Sequence, residues 1–159
     1  MKGMEMREHI LAVITAILLL ALATVAMAAD PFVGTWKQIS AKVIPGPAPK
    51  SVTIKIVQKG DSFKWTMDFV PEDGNVLHME WSGKFDGKDY PVTGDPDSDS
   101  YAFKKIDSNT IEEVFKKAGK AVGNIKSVIS KSGKTLTQTG KYKDAKGQES
   151  TVTAVFDKQ

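Results

Sequence analysis

Apolar and polar residues alternate along most of the chain beyond residue 30, and this period of two constrains the fold more than any other feature. In segment 62–69 the odd positions are aromatic or apolar and the even positions are mostly polar: Phe63, Trp65, Met67 and Phe69 against Lys64, Thr66 and Asp68. Segment 77–85 repeats the pattern, and shorter sets occur in 52–56 and 152–156. Because successive side chains of a strand point to opposite faces, these segments are predicted to be half-buried β-strands.

Glycine-containing turn sequences separate these segments. They are centred on Gly60, Gly74, Gly87, Gly119, Gly133 and Gly147. Glycine supplies the positive φ that tight hairpin turns require, and spacings of about a dozen residues are typical of an antiparallel meander. We therefore predict an all-β domain of about 8–10 strands, and the lack of helices to cover a sheet face favours a sandwich or closed barrel. Segment 110–117 alternates poorly, which favours a β-bulge or a short helical turn there.

The first 28 residues have the pattern of a secretory signal peptide. Lys2 and Arg7 precede an apolar run over 10–27, which ends in the small-x-small sequence Ala26-Met27-Ala28. A transmembrane anchor is the alternative, but no basic stop-transfer cluster follows the run. We expect residues 1–28 to be removed and residues 29–159 to form one domain.

The chain has no cysteine. Small exported eukaryotic domains usually rely on disulfides, so we expect a bacterial protein that is periplasmic or extracellular. Because there is no N-terminal cysteine to carry lipid, we also expect a soluble protein with no stable membrane anchor. We expect it to be a monomer.

The charged residues argue against nucleic-acid binding. The net charge is +3, and Arg7 is the only arginine, so every cation beyond the predicted signal peptide is a lysine. Nucleic-acid readers depend on arginine for bidentate contacts to phosphate and guanine, and the lysines here are dispersed among acidic residues.

The sequence Phe32-Val33-Gly34-Thr35-Trp36-Lys37 follows the predicted cleavage site. It resembles the Gly-x-Trp signature of lipocalins and, more closely, the first strand of fatty-acid-binding proteins, which share the calycin barrel. The chain also resembles bacterial secreted lipocalin-like proteins of no established activity. The resemblance implies that Gly34, Thr35 and Trp36 form a structural signature, with Trp36 plugging one barrel end against a basic residue of the last strand. Only Lys158 is placed to be that residue.

The resemblance also implies a ligand inside the barrel. Fatty-acid binders usually hold the ligand carboxylate with a buried arginine, and this chain has none after Arg7. We therefore expect a small, mostly apolar ligand. The predicted lining residues are the aromatic and apolar members of one face: Trp65, Met67, Phe69, Met79, Trp81, Phe85, Tyr101 and Phe103. The same residues are also compatible with a fully packed core, and periodicity leaves open an inward position for His78, Glu80 and the set Thr135, Thr137 and Thr139.

Other sites have less support. His78 is the only histidine after residue 28 and has no separate nucleophile and orienting partner nearby in the sequence, so we do not expect an enzyme. We expect no cofactor and no zinc-type metal site. Asp95, Asp97 and Asp99 match the first ligand positions of a calcium loop, but Ser100 and Ile106 occupy the positions of its glycine and closing glutamate.

Three functions follow from these features. The first is a carrier or sequestering protein, with loops 45–49 and 94–100 opposite the Trp36 end. The second is an interaction or envelope-stress module with a filled core that binds a protein partner through its loops. The third, a barrel enzyme, has the fewest candidate residues.

Overall fold

The computed structural model describes residues 29–144 and 146–159, which form strands and their connections only. The ten strands are β1 (Gly34–Ile44), β2 (Ser51–Lys59), β3 (Ser62–Val70), β4 (Leu77–Gly83), β5 (Asp86–Thr93), β6 (Ser100–Asp107), β7 (Thr110–Lys117), β8 (Lys120–Ile129), β9 (Thr135–Lys143) and β10 (Glu149–Lys158). The all-β prediction and the predicted strand number are confirmed. Segment 110–117, expected to contain a bulge or helical turn, is strand β7 with a register shift between Phe115 and Lys116.

Each strand is antiparallel to the next, and the first and last strands close the sheet into a barrel. β1 pairs with β2 through Gly34–Lys37 and with β10 through most of its length, from Trp36 opposite Lys158 to Ile44 opposite Thr151. A closed barrel has no free sheet edge, so its strands expose no unpaired row of backbone groups. The pairing is shortest between β4 and β5, where only Glu80 and Trp81 lie opposite residues of β5.

The strand register determines which face is inside. Trp65 lies opposite Trp81, and Met67 opposite Met79, so the aromatic and apolar faces of β3 and β4 both point inward. On β9 the inward residues are Leu136 and Gln138, and the threonine set at 135, 137 and 139 points outward. His78 and Glu80 also lie on the outer face. The alternative of an inward polar face is therefore wrong, because the apolar residues of the same strands occupy the interior.

A β-bulge at Ile39 changes which residues of β1 face the interior. The register passes from Gln38 opposite Phe156 to Ser40 opposite Val155, which leaves Ile39 unpaired and 60% exposed. One extra residue reverses the alternation. Trp36 and Gln38 face inward before the bulge, and Ala41 and Val43 face inward after it.

The predicted turn glycines adopt the conformation that hairpins require. Gly60, Gly74, Gly87, Gly119, Gly133 and Gly147 all have φ between +63° and +86°. The meander places loops 45–50, 71–76 and 94–99 at one end of the barrel, called here the loop end. Trp36 lies at the opposite end, called here the tryptophan end.

The predicted signal peptide, residues 1–28, lies outside the described residues. Within 29–144 and 146–159, no helix is long and apolar enough to cross a membrane.

Gly94 provides a test of the loop end. Its φ is +81°, and a Cβ at this position would lie 1.9 Å from the His78 carbonyl oxygen. We expect Gly94→Ala to lower the free energy of unfolding by roughly 3 kcal/mol, because left-handed strain and a backbone clash add together. The measurement is urea unfolding.

Gly60→Ala is the matched control, since Gly60 has φ +63° and nothing within 4 Å of the added Cβ. Left-handed backbone strain alone should lower the free energy of unfolding of this variant by about 1 kcal/mol. Equal losses in the two variants would show that Gly94 makes no close approach to β4.

Candidate functional site

The barrel encloses a cavity of about 270 Å³ that extends to the loop end. Pro47, Pro49 and segment 95–98 line it at the loops, so the two loops singled out in the sequence do lie at the end opposite Trp36. Its walls are mainly apolar: Ala41, Val43, Val52, Leu77, Phe115, Val152 and Ala154, together with Met67 and Met79. Ligand cavities of about 300–1,000 Å³ hold drug-sized molecules, so this one fits a smaller molecule.

The tryptophan end is closed by tight packing. Trp36 is fully buried, and its indole Nε1 donates a hydrogen bond to the Phe32 carbonyl at 2.9 Å. Lys158 Nζ lies 5.0 Å from the centre of the Trp36 ring and donates to the Pro31 carbonyl at 2.9 Å. Lys158 therefore occupies the position expected of the basic partner, as a cation–π contact. Gly34 has φ +139°, a backbone conformation that residues with a side chain rarely adopt, which accounts for a glycine at this position.

The segment before β1 adds to this closure. Asp30 forms an ion pair with Lys105 of β6, and one of its carboxylate oxygens accepts a hydrogen bond from the Phe32 amide at 3.0 Å. Phe32 is 1% exposed and belongs to the core. These contacts hold the start of the domain across the barrel end.

The eight residues predicted to contact a ligand fall into two groups. Five of them line the cavity: Trp65, Met67, Phe69, Met79 and Tyr101. The other three join Phe63 in an aromatic cluster, defined here as Phe63, Trp81, Phe85 and Phe103, on the side of the tryptophan end. Ring centres are 3.9 Å apart for Phe63 and Phe85, and 4.4 Å apart for Trp81 and Phe103. One part of the barrel is thus a packed core and the other part is a cavity.

A polar group that the sequence analysis did not single out lies between these two parts. The floor cluster, defined here as Glu113, Ser127 and Gln138, contains one inward residue from each of β7, β8 and β9. Ser127 lies opposite Gln138 across the β8–β9 ladder and diagonal to Glu113, whose partner is Ile125. Glu113 and Gln138 line both the large cavity and a space of about 10 Å³ beside the aromatic cluster. The floor cluster therefore forms the inner end of the cavity.

Hydrogen bonds link the three side chains. The Ser127 hydroxyl donates to Glu113 Oε1, and Gln138 Nε2 donates to Ser127 Oγ at 3.0 Å and to Glu113 Oε1 at 3.4 Å. Glu113 is only 7% exposed. Burial raises the pKa of the Glu113 carboxyl to about 7, although the hydrogen bonds from Ser127 and Gln138 favour its charged form. The carboxyl thus exchanges its proton near neutral pH.

A second polar group lies at the loop end. The Tyr101 hydroxyl donates to Asp95 Oδ2 at 2.7 Å, and burial, followed by the charge of Asp95, raises the tyrosine pKa. Asp99 instead accepts a hydrogen bond from the Ala118 amide at 2.7 Å. In the part of the chain that the structure describes, no three His, Asp or Glu side chains gather where they could hold a metal ion. The geometry gives the weak calcium hypothesis no support.

His78 lies on the outer surface of β4. Its Nδ1 is 2.6 Å from Asp68 Oδ1, and its Nε2 is 3.1 Å from Glu80 Oε1. The hydrogen bonds that His78 makes to Asp68 and then to Glu80 raise its pKa, although the side chain is 54% exposed. Both ring nitrogens thus contact carboxylates on the outer face of the barrel.

No protein-family model and no curated protein sequence matches the chain. Among solved structures, the barrel is similar to a zebrafish ileal bile acid-binding protein in complex with cholic acid, at 17% identity and a TM-score of 0.51, over 81% of this chain and 99% of that chain. The likeness shows the fold. It confirms the closed antiparallel barrel that the sequence predicted. The chain is also similar to lobster apocrustacyanin A1, at 16% identity and a TM-score of 0.42, over 83% of this chain and 63% of that chain.

The raised pKa of Glu113 predicts how stability depends on pH. A carboxyl that binds its proton more tightly when folded stabilises the protein at low pH, and the folded state loses that advantage as pH rises from about 4.5 towards 7. As pH rises from 5 to 8, the titration of Glu113 should lower the free energy of unfolding by roughly 2–3 kcal/mol. Glu113→Gln should cancel that part of the decline, as measured by urea unfolding at both pH values.

Glu112→Gln is the control, because it removes a neighbouring carboxylate from the outer face of the same strand. It should retain the decline of the unsubstituted protein. If Glu113→Gln and Glu112→Gln gave the same pH profile, Glu113 would not be a buried carboxyl.

Proposed function

We propose that this chain is an exported, non-catalytic protein that binds or sequesters a small, mostly apolar ligand inside its barrel. The observation that carries the proposal is the cavity of about 270 Å³, which is lined mainly by apolar side chains and closed at the tryptophan end. Removing an apolar ligand from water contributes about 25 cal/mol for each Å² of its surface that is buried. The mechanism of binding is therefore burial of apolar surface.

Several features support parts of this proposal. The signal-peptide pattern of residues 1–28 supports export, and the lack of cysteine supports a bacterial periplasmic or extracellular location. The structure of the same fold solved with cholic acid supports a small-molecule ligand for this kind of barrel. His78, the candidate general base, lies outside the barrel, which supports a function without catalysis.

The cavity volume sets the size of the ligand. A cavity of about 150 Å³ holds benzene, or about 25 Å³ for each non-hydrogen atom, so the cavity of about 270 Å³ accommodates roughly eleven such atoms. Naphthalene is a suitable probe, because it is close to this size and has no polar group. We expect naphthalene to shift the backbone amide resonances of residues on β3, β4 and β10 that line the cavity, as followed by ¹H–¹⁵N NMR of the full chain.

A pair of variants on β10 tests whether naphthalene binds inside the cavity. Ala154 is buried and lines the cavity, and Thr153 beside it is exposed. Ala154→Phe should fill the cavity and weaken naphthalene binding at least about tenfold, whereas Thr153→Phe should leave it unchanged. Equal binding by both variants, or no binding by the unsubstituted protein, would contradict the proposed function and direct attention to a protein partner at the loop end.

A further inference from the structure

The floor cluster has fewer hydrogen-bond donors than acceptors. Both hydrogen bonds to Glu113, from Ser127 and Gln138, end on Oε1. Gln38, which also lines the cavity, has a buried Oε1 with no hydrogen-bond partner among the described residues. Buried acceptors are nearly always paired in folded proteins. The unpaired Gln38 Oε1 and the buried Glu113 carboxyl therefore indicate a ligand that donates hydrogen bonds.

The charge of the cavity lining points to the same class of ligand. Three carboxyl side chains line the cavity, Asp95, Asp97 and Glu113, and Lys143 is the single cationic residue among the lining residues that the structure describes. The full chain has the opposite balance, with a net charge of +3. A cation is attracted to such a site, and a ligand carboxylate would meet like charges in a region of low dielectric constant.

The positions of the polar and apolar lining residues along the barrel axis indicate the shape of the ligand. Glu113 lies at the inner end of the cavity, and the walls between it and the loop end are apolar, with Met67, Leu77, Phe115 and Val152 among them. A single polar head therefore fits against Glu113, with a hydrocarbon tail along the walls. Roughly eleven non-hydrogen atoms fit in the volume, as for the neutral probe.

We infer that the cavity selects small apolar amines, with the ligand ammonium group bound to Glu113 and the hydrocarbon tail pointing towards the loop end. This inference rests on the proposed function. An ammonium group has three donors and no acceptor, which complements an acceptor-rich floor. It also neutralises a buried carboxylate, whose charge is otherwise costly away from water.

A bound cation favours the ionised form of Glu113, so binding has a consequence for protons. The carboxyl is about half protonated near pH 7, and the amine stays charged at this pH. Binding of the amine should therefore release about half a proton for each ligand, whereas a neutral alcohol should release almost none.

Three ligands of matched length test the inference: n-octylamine, 1-octanol and octanoate. Calorimetric titration of the full chain near pH 7 should give octylamine an affinity at least about tenfold higher than octanol, and octanoate the weakest of the three. Repeating the octylamine titration in buffers of different ionisation enthalpy measures the released proton directly and requires no variant.

Variants locate the head group. Glu113→Gln keeps the shape of the side chain and should lower octylamine affinity about tenfold while changing octanol affinity less than about threefold. Glu112→Gln, on the outer face, should leave both affinities unchanged. Asp95→Asn should lower the ratio of octylamine affinity to octanol affinity less than Glu113→Gln does, because Asp95 lies at the loop end.

The outcomes separate this inference from the proposed function. If naphthalene and octanol bind but octylamine binds no more tightly than octanol, or releases no proton, the cavity is confirmed as a binding site and the amine preference is wrong. Loss of the preference in Asp95→Asn and not in Glu113→Gln would place the head group at the loop end and overturn the inference. If none of the ligands binds, the proposed function itself fails.

Discussion

The closure of the sheet by β1, which pairs with both β2 and β10, determines the rest of this structure. Barrels of about eight strands are just filled by their own side chains, and additional strands widen the interior beyond what side chains fill. In this ten-strand barrel, stacked aromatic rings fill the part towards the tryptophan end. The remaining space is the cavity, whose inner end is the floor cluster. Closure and strand number thus produce an interior cavity within a single barrel.

Much of the fold follows from alternation and turn chemistry. The strands around Trp65 and Trp81, the glycine turns and the buried Trp36 are all as the sequence predicts. Alternation identifies the face of a strand but says nothing about height along the barrel axis. It therefore could not separate Met67, which lines the cavity, from Phe103, which belongs to the aromatic cluster. For this reason alternation does not decide between a packed core and a cavity, and the barrel contains both.

The floor cluster shows a different limit. Glu113 occupies an inward position of β7 between Ile111 and Phe115. A charged residue at a position where alternation predicts an apolar one interrupts the apolar–polar pattern. This is why segment 110–117 alternates poorly although it is a regular strand over most of its length. Ser127 and Gln138 are ordinary polar residues in the sequence, and only the register of β7, β8 and β9 brings them to Glu113. The sequence feature that could have identified Glu113 is its spacing of two residues from both Ile111 and Phe115, which places it on the same face of the strand as these apolar residues.

The central claim is that this barrel holds a small molecule, and native mass spectrometry tests it most directly. The protein should be purified gently from the cells that produce it and measured before and after denaturation. We expect a discrete added mass that denaturation removes, of a size that fits a cavity of about 270 Å³. A bare protein mass, unchanged after incubation with a lipid and small-molecule extract of the same cells, would contradict it.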